Sequence, residues 1–187
     1  MYSDDRTIIQ QIAARDERAI EAMAAAYGTV CRRIAKNILG NAADAEEVCN
    51  KALFRAWNAI PAHPPVHLQA YLITLTRRIA FDLLKTNNRF KRGGGDVPLA
   101  LEELAECVAA PDSVEAAIDR STLKAEIDRF LDRLSAEKRR IFIERYTMLM
   151  PTAEIAAAHG MQENAVRMAL CRMRKALRQT LEKEGYL

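Results

Sequence analysis

Apolar residues recur at spacings of three and four along most of the chain, the period of helices that bury one face. A short helix is predicted to start at Asp4 or Asp5, either of which can cap it. A longer one is predicted over about 16–39, with Ile20, Met23, Tyr27, Val30 and Ile34 on its inner stripe and Gly40-Asn41 as its stop. A third, over about 43–60, places Val48, Leu53, Phe54 and Trp57 inward. Pro61, Pro64 and Pro65 then impose a stiff loop up to His67. A fourth helix over about 68–87 carries Tyr71, Leu72, Leu75, Ile79, Leu83 and Phe81 on apolar faces, and Gly93-Gly94-Gly95 ends the pattern. The period resumes near Ser113 and continues to Leu134. Ser135 caps a further helix to about Met148, and two more follow Pro151-Thr152 and Met161-Gln162. The fold class expected is all-α: two small helical domains, residues 1–92 and 118–187, joined by a flexible linker over 93–117.

Charge sharpens this division. Residues 1–92 carry a net +5, residues 93–134 a net −6 and residues 135–187 a net +4. Basic ends around an acidic middle suggest nucleic-acid contact at both ends. From Gly93 to Ile118 there is no Lys or Arg, but there are six acids: Asp96, Glu102, Glu103, Glu106, Asp112 and Glu115. Such a stretch repels itself and stays extended. The four cysteines, Cys31, Cys49, Cys107 and Cys171, form no CxxC pair and are read as reduced, mostly buried thiols. No metal site or cofactor is expected. His63 and His67 are four apart, but the prolines between them deny them a common helical face. The N-terminus lacks the basic-then-apolar pattern of a signal peptide and no apolar run is long enough to span a membrane, so the chain is expected in the cytoplasm without membrane insertion.

The strongest local pattern lies between Thr152 and Arg178. A helix-turn-helix needs a small residue where its helices cross, a glycine at the turn and apolar positions that lock the angle. Ala156 supplies the first and Gly160 the second. Ile155, Met161, Val166 and Ala169 supply the third. The second helix would bury Val166, Leu170, Met173 and Leu177. Its other face would present Glu163, Asn164, Arg167, Met168, Cys171, Arg172, Arg174 and Lys175 to duplex DNA. Between Val166 and Arg178 it carries five basic residues and no acid, as a helix entering the major groove requires.

Three segments carry a family resemblance. Asn41 to Trp57, an acidic helix ending in Phe54-Arg55-Ala56-Trp57, resembles the signature of bacterial sigma factors of the extracytoplasmic-function type, in the sigma-70 superfamily. Ala70 to Lys85 resembles that family's promoter-melting helix, and Leu134 to Ala176 its −35-reading domain. The resemblance covers nearly the whole chain and implies a non-enzymatic subunit that binds core RNA polymerase and directs initiation. Asp44, Glu46, Glu47, Asn50, Lys51 and Arg55 would then meet the clamp helices of the largest subunit, and the C-terminal domain the flap of the second-largest. His63, His67, Arg77, Arg78, Lys85, Asn87, Asn88 and Arg89 would contact the opened −10 strand, and the Pro-rich loop would hold a flipped base. An anti-sigma factor is a further partner that the family implies. The acidic linker would either thread the RNA exit channel as an RNA mimic or serve as a solvated spacer.

Two other readings fit part of the pattern. An ordinary helix-turn-helix regulator would have an apolar ligand pocket or dimer face and palindromic half-sites, but leaves the basic helix after the Pro-rich loop unexplained. A sigma-like adaptor that never touches DNA leaves the basic second helix unexplained. No Gly-rich phosphate loop, HExxH or nucleophile elbow points to an enzyme.

Overall fold

The computed structural model describes residues 5–86, 100, 101, 103, 104, 116–184 and 186. Every regular element among them is a helix, and the chain divides into two units, Met1–Gly93 and Gly94–Leu187.

In the first unit, α1 (Asp5–Ala13), α2 (Arg18–Leu39), α3 (Ala42–Ala59) and α4 (Leu68–Thr86) pack around α2, which meets the other three. Contact on several sides explains a departure from the expected stripe. The fully buried residues of α2 are Ala19, Met23, Cys31, Ile34 and Ala35, whereas Ile20, Tyr27 and Val30 sit at the margins. Small residues let neighbouring helices approach, so the inward arc is set by close packing and not by the bulkiest side chains. Gly40, at φ +78°, ends α2 and returns its N–H to the Lys36 carbonyl. One residue later Asn41 caps α3: its side-chain oxygen accepts the Asp44 N–H at 2.8 Å, and its amide donates to the Asp44 carboxylate at 2.7 Å. Sequence marked Gly40-Asn41 only as a stop; the cap that Asn41 supplies also starts α3 and turns the chain between the two helices.

The same packing brings Cys31 and Cys49 together from α2 and α3, fully buried. The Cys49 thiol donates to the Gly28 carbonyl at 3.7 Å, and the proximity of the two sulfurs holds the Cys31 thiol below its ordinary value and pushes that of Cys49 up. Cys171 is exposed on the outer face of the last helix. Cys107 lies outside the described residues.

The second unit contains α5 (Ala116–Arg133), α6 (Ala136–Tyr146), α7 (Thr152–His159) and α8 (Glu163–Lys183). Ser135 caps α6, and Arg139 reaches back to the Leu131 and Asp132 carbonyls at 2.8 and 2.9 Å, satisfying the C-terminus of α5. Phe130, Phe142 and Tyr146 stack edge-on and tilted beneath α8. Residues 100, 101, 103 and 104, read from sequence as part of a free linker, are helical and belong to this unit; Ala100 is buried there.

Candidate nucleic-acid interface

The α7–α8 corner has the geometry that its sequence requires. Gly160 adopts φ +62°, a conformation cheap only for glycine, and the Met161 N–H bonds back to the Ala156 carbonyl at 2.9 Å. Ile155, Ala156 and Val166 are buried at the crossing, and Val166, Leu170, Met173, Leu177 and Leu181 form the inner stripe of α8. Turned away from it, Asn164, Arg167, Met168, Cys171, Arg172 and Lys175 are exposed.

Two residues expected on that outer face have inward commitments. Glu163 opens α8 and accepts from the Thr152 hydroxyl at 2.6 Å and from Arg167 Nη2 at 2.6 Å, linking the first residues of both helices. These donors, Thr152 first, hold its carboxyl below the ordinary value of 4.5. A depressed carboxyl stabilises the fold above its unfolded pKa and loses that contribution as pH falls through the folded value. Glu163→Gln is therefore expected to lower the stability of the second unit at neutral pH, and the gap to wild type should narrow as pH falls below the ordinary carboxylate value of about 4.3. Unfolding midpoints across pH 3–7 check this, and a constant gap down to the lowest pH would contradict it.

Arg174 departs further from the expected face. Its side chain is 20% exposed and donates to the Tyr146 hydroxyl at 2.7 Å and to Glu103 Oε2 at 2.9 Å. Arg145, fully buried on α6, lies 3.7 Å from the other Glu103 oxygen and donates to the Met150 carbonyl at 3.1 Å. Burial pushes the Tyr146 phenol up to about 12 despite the Arg174 charge, so it stays protonated and donates to Glu103 at 3.1 Å. The Arg174 position four residues past Leu170 drew it into this cluster, and no local pattern announces Glu103 as its partner.

On the first unit, Glu46, Glu47, Asn50, Lys51 and Arg55 lie exposed along α3. Asp44 is occupied in the Asn41 cap, Lys51 pairs with Glu47 at 2.5 Å, and Arg32 of α2 approaches Glu46 at 3.7 Å. Phe54, expected in the core, is 64% exposed. It stands four residues after Asn50 and seven after Glu47, on their face of the helix, so a helical wheel would have placed it outward. His63, His67 and Val66 project from the loop between the buried anchors Ile60 and Leu68. Along α4, Arg78 and Lys85 are exposed while Arg77 is half-buried, its pKa lowered by that burial. Asn87, Asn88 and Arg89 lie outside the described residues, as do five of the linker acids, Asp96, Glu102, Glu106, Asp112 and Glu115. Among the described residues no cluster of His, Cys, Asp and Glu suits a metal ion, and no helix is long and apolar enough to cross a membrane.

Two family models match this arrangement: Sigma-70 region 2 over residues 23–90 and Sigma-70, region 4 over residues 124–177. The ECF RNA polymerase sigma factor SigL of Mycobacterium tuberculosis is 32% identical over 181 residues, covering 92% of this chain and 94% of that protein. The chain belongs to the sigma-70 family, as a sigma factor of the extracytoplasmic-function type. A probable RNA polymerase sigma factor, RfaY of Xanthomonas campestris, is 27% identical over 164 residues, 83% of this chain and 40% of that protein. The structure of CnrH in complex with the cytosolic domain of CnrY aligns at 19% identity with a TM-score of 0.44, covering 97% of this chain and 99% of that one. Region 2 of this sigma factor thus takes in most of α2 with α3 and α4. Region 4 runs from α5 to α8 and contains the helix-turn-helix. Family membership makes the protein a transcription-initiation factor and removes the ordinary-regulator reading.

Proposed function

We propose that this sigma factor binds core RNA polymerase, holds the −35 duplex with α8, and opens the −10 element with α4 and the loop that precedes it. The observation that carries the reading is the outer face of α8, where Arg167, Arg172 and Lys175 are exposed opposite a fully apolar inner stripe. Asn164, Arg167 and Met168, on the first two turns, are placed for base edges, and Arg172 and Lys175 for phosphates. Arg174 acts from inside the unit. On the first unit, Arg78 and Lys85 hold the separated strand together with Arg77, Asn87, Asn88 and Arg89, while His63 and His67 flank the extruded base.

The exposed face of α3 docks on the clamp helices, with Phe54 as an apolar anchor among Glu47, Asn50, Lys51 and Arg55. Aromatic side chains ringed by polar groups dominate interface energies. Phe54→Ala is expected to leave thermal unfolding of the first unit unchanged and to weaken core binding by about 1–2 kcal/mol, roughly five- to thirtyfold. Fluorescence titration of the labelled protein with core polymerase measures it, and unaltered affinity would remove Phe54 from the interface. An open groove of about 490 Å³ along α6, lined by Ala136, Arg139, Arg140, Ile143, Glu144 and Met148, suits the flap. The protein acts in the cytoplasm, where an anti-sigma factor keeps its basic surfaces off DNA. Because Glu103 is paired within the second unit, any RNA-mimicking role of the linker falls to the other five acids.

The deciding experiment mixes the purified protein, core polymerase and genomic DNA and maps start sites. Initiation downstream of a shared pair of elements is expected. Core binding without promoter-specific initiation would overturn the reading.

A further inference from the structure

Helix α1 precedes the segment matched by the region 2 model, which begins at residue 23. Ile8 and Ile12 are fully buried in the same cluster as Ile60 and Leu68, the two anchors of the Pro-rich loop. Polar groups at the start of α1 and just past its end meet the two helix ends that flank that loop. At its start, Asp5 accepts the Leu68 N–H through Oδ2 at 3.1 Å, and the Tyr27 hydroxyl donates to Oδ1. Leu68 is the first residue of α4, and its N–H has no partner within the helix. Asp5 thus supplies from α1 the acceptor that a Ser or Asp immediately before the helix would otherwise provide.

At the other end, Arg15 follows α1 in a left-handed conformation, φ +58°. Its Nη1 donates to the Trp57 carbonyl at 3.1 Å, and its guanidinium lies 5.5 Å from the Trp57 ring centroid. That carbonyl would ordinarily accept from the residue four further on, which is Pro61 and has no N–H. The proline that stiffens the loop therefore leaves an acceptor at the end of α3, and Arg15 satisfies it. Asp16 does not compete for Arg15, because Arg18 holds it at 2.6 Å. A non-glycine residue in this backbone region persists where its surroundings over-determine it.

We infer that α1 is a brace for the loop, with Asp5 and Arg15 as positioning residues that fix its two ends and thereby the geometry of strand opening. The inference rests on the reading of that loop as the element that holds an extruded base. A loop fixed at both ends loses little entropy when it closes on a base, whereas a freed end would have to be ordered in each opening event.

The test uses the full-length chain with core polymerase on a promoter obtained by start-site mapping. Opening is followed by permanganate reactivity of −10 thymines, alongside core affinity and thermal unfolding. Asp5→Ala is expected to slow opening by about five- to tenfold, the effect of one lost cap, with core affinity unchanged. Asp5→Asn, whose amide oxygen can still accept from Leu68, should restore it. Arg15→Gly relieves the left-handed strain while deleting both Trp57 contacts, so it should slow opening without lowering thermal stability. His63→Ala and Val66→Ala test the loop itself. Loop variants that impair opening, beside Asp5→Ala and Arg15→Gly proteins that open normally, would overturn the brace and leave the loop reading intact. Loop variants that open normally would remove the loop reading and the brace with it. If Asp5→Ala reduces stability, core affinity and opening in step while Arg15→Gly changes nothing, α1 only completes the core and the brace is overturned.

Discussion

Arg145→Ala is expected to destabilise the second unit by about 3 kcal/mol, the cost of breaking a buried, hydrogen-bonded charge cluster. The guanidinium is fully buried, and its removal deprives the Met150 carbonyl of a donor and Glu103 of a cation. The turn it holds is already strained: Leu149, between α6 and α7, has φ +56° with its side chain buried, a conformation that costs energy for a branched residue. Losing the Met150 bond should therefore loosen the approach to the helix-turn-helix as well as the Glu103 cluster. Hydrogen exchange should show reduced protection across α6 to α8 and an unchanged first unit. Arg145→Lys should fall between, since an ammonium cannot form the same fork. Protection within about 0.5 kcal/mol of wild type, the range of an ordinary surface change, would show that the cluster is not structural.

The second large effect is expected at the proposed DNA face. Arg167→Ala should reduce initiation from a cognate promoter by about 1–3 kcal/mol, roughly five- to 150-fold, and relax the base preference at one −35 position. Arg172→Ala should instead weaken binding to all sequences alike and reduce the magnitude of the salt slope by about one. Both side chains are exposed, so folding should change little, Arg167→Ala losing only its share in holding Glu163. Selection from a randomised −35 library, with holoenzyme binding measured across salt concentrations, separates the two. An unchanged base preference in Arg167→Ala would take that residue out of direct readout. Because Arg167 also donates to Glu163, Arg167→Ala and Glu163→Gln act on one network and their effects should not add.

Much of this architecture was legible in local sequence because local physics creates it. Gly40-Asn41 and Gly160 demand particular turns, Ser135 caps the helix it precedes, and the period of α8 separates an apolar stripe from a basic one. The resemblance of Asn41 to Trp57, Ala70 to Lys85 and Leu134 to Ala176 to sigma-factor segments pointed to the family. What escaped was of two kinds. Helical period yields a stripe but not the width of the buried arc. On α2, packed on several sides, small residues such as Ala19 and Ala35 displaced Ile20 and Val30 from the centre, and on α3 Phe54 fell outside the arc altogether. Polar residues posed the other difficulty, because a side chain's type does not reveal its partner.

Sequence by itself determined the all-helical class, the main turns between helices and the basic outer face of α8. These follow from backbone preferences and periodicities that act within a few residues. Tertiary structure decided that Arg174 turns inward to Glu103 and Tyr146, that Arg145 is buried beside them, and that Asp5 and Arg15 meet the ends of a loop dozens of residues away. Those outcomes depend on which donors and acceptors the packing of helices leaves without local partners, and only the assembled fold brings the distant groups that satisfy them into reach.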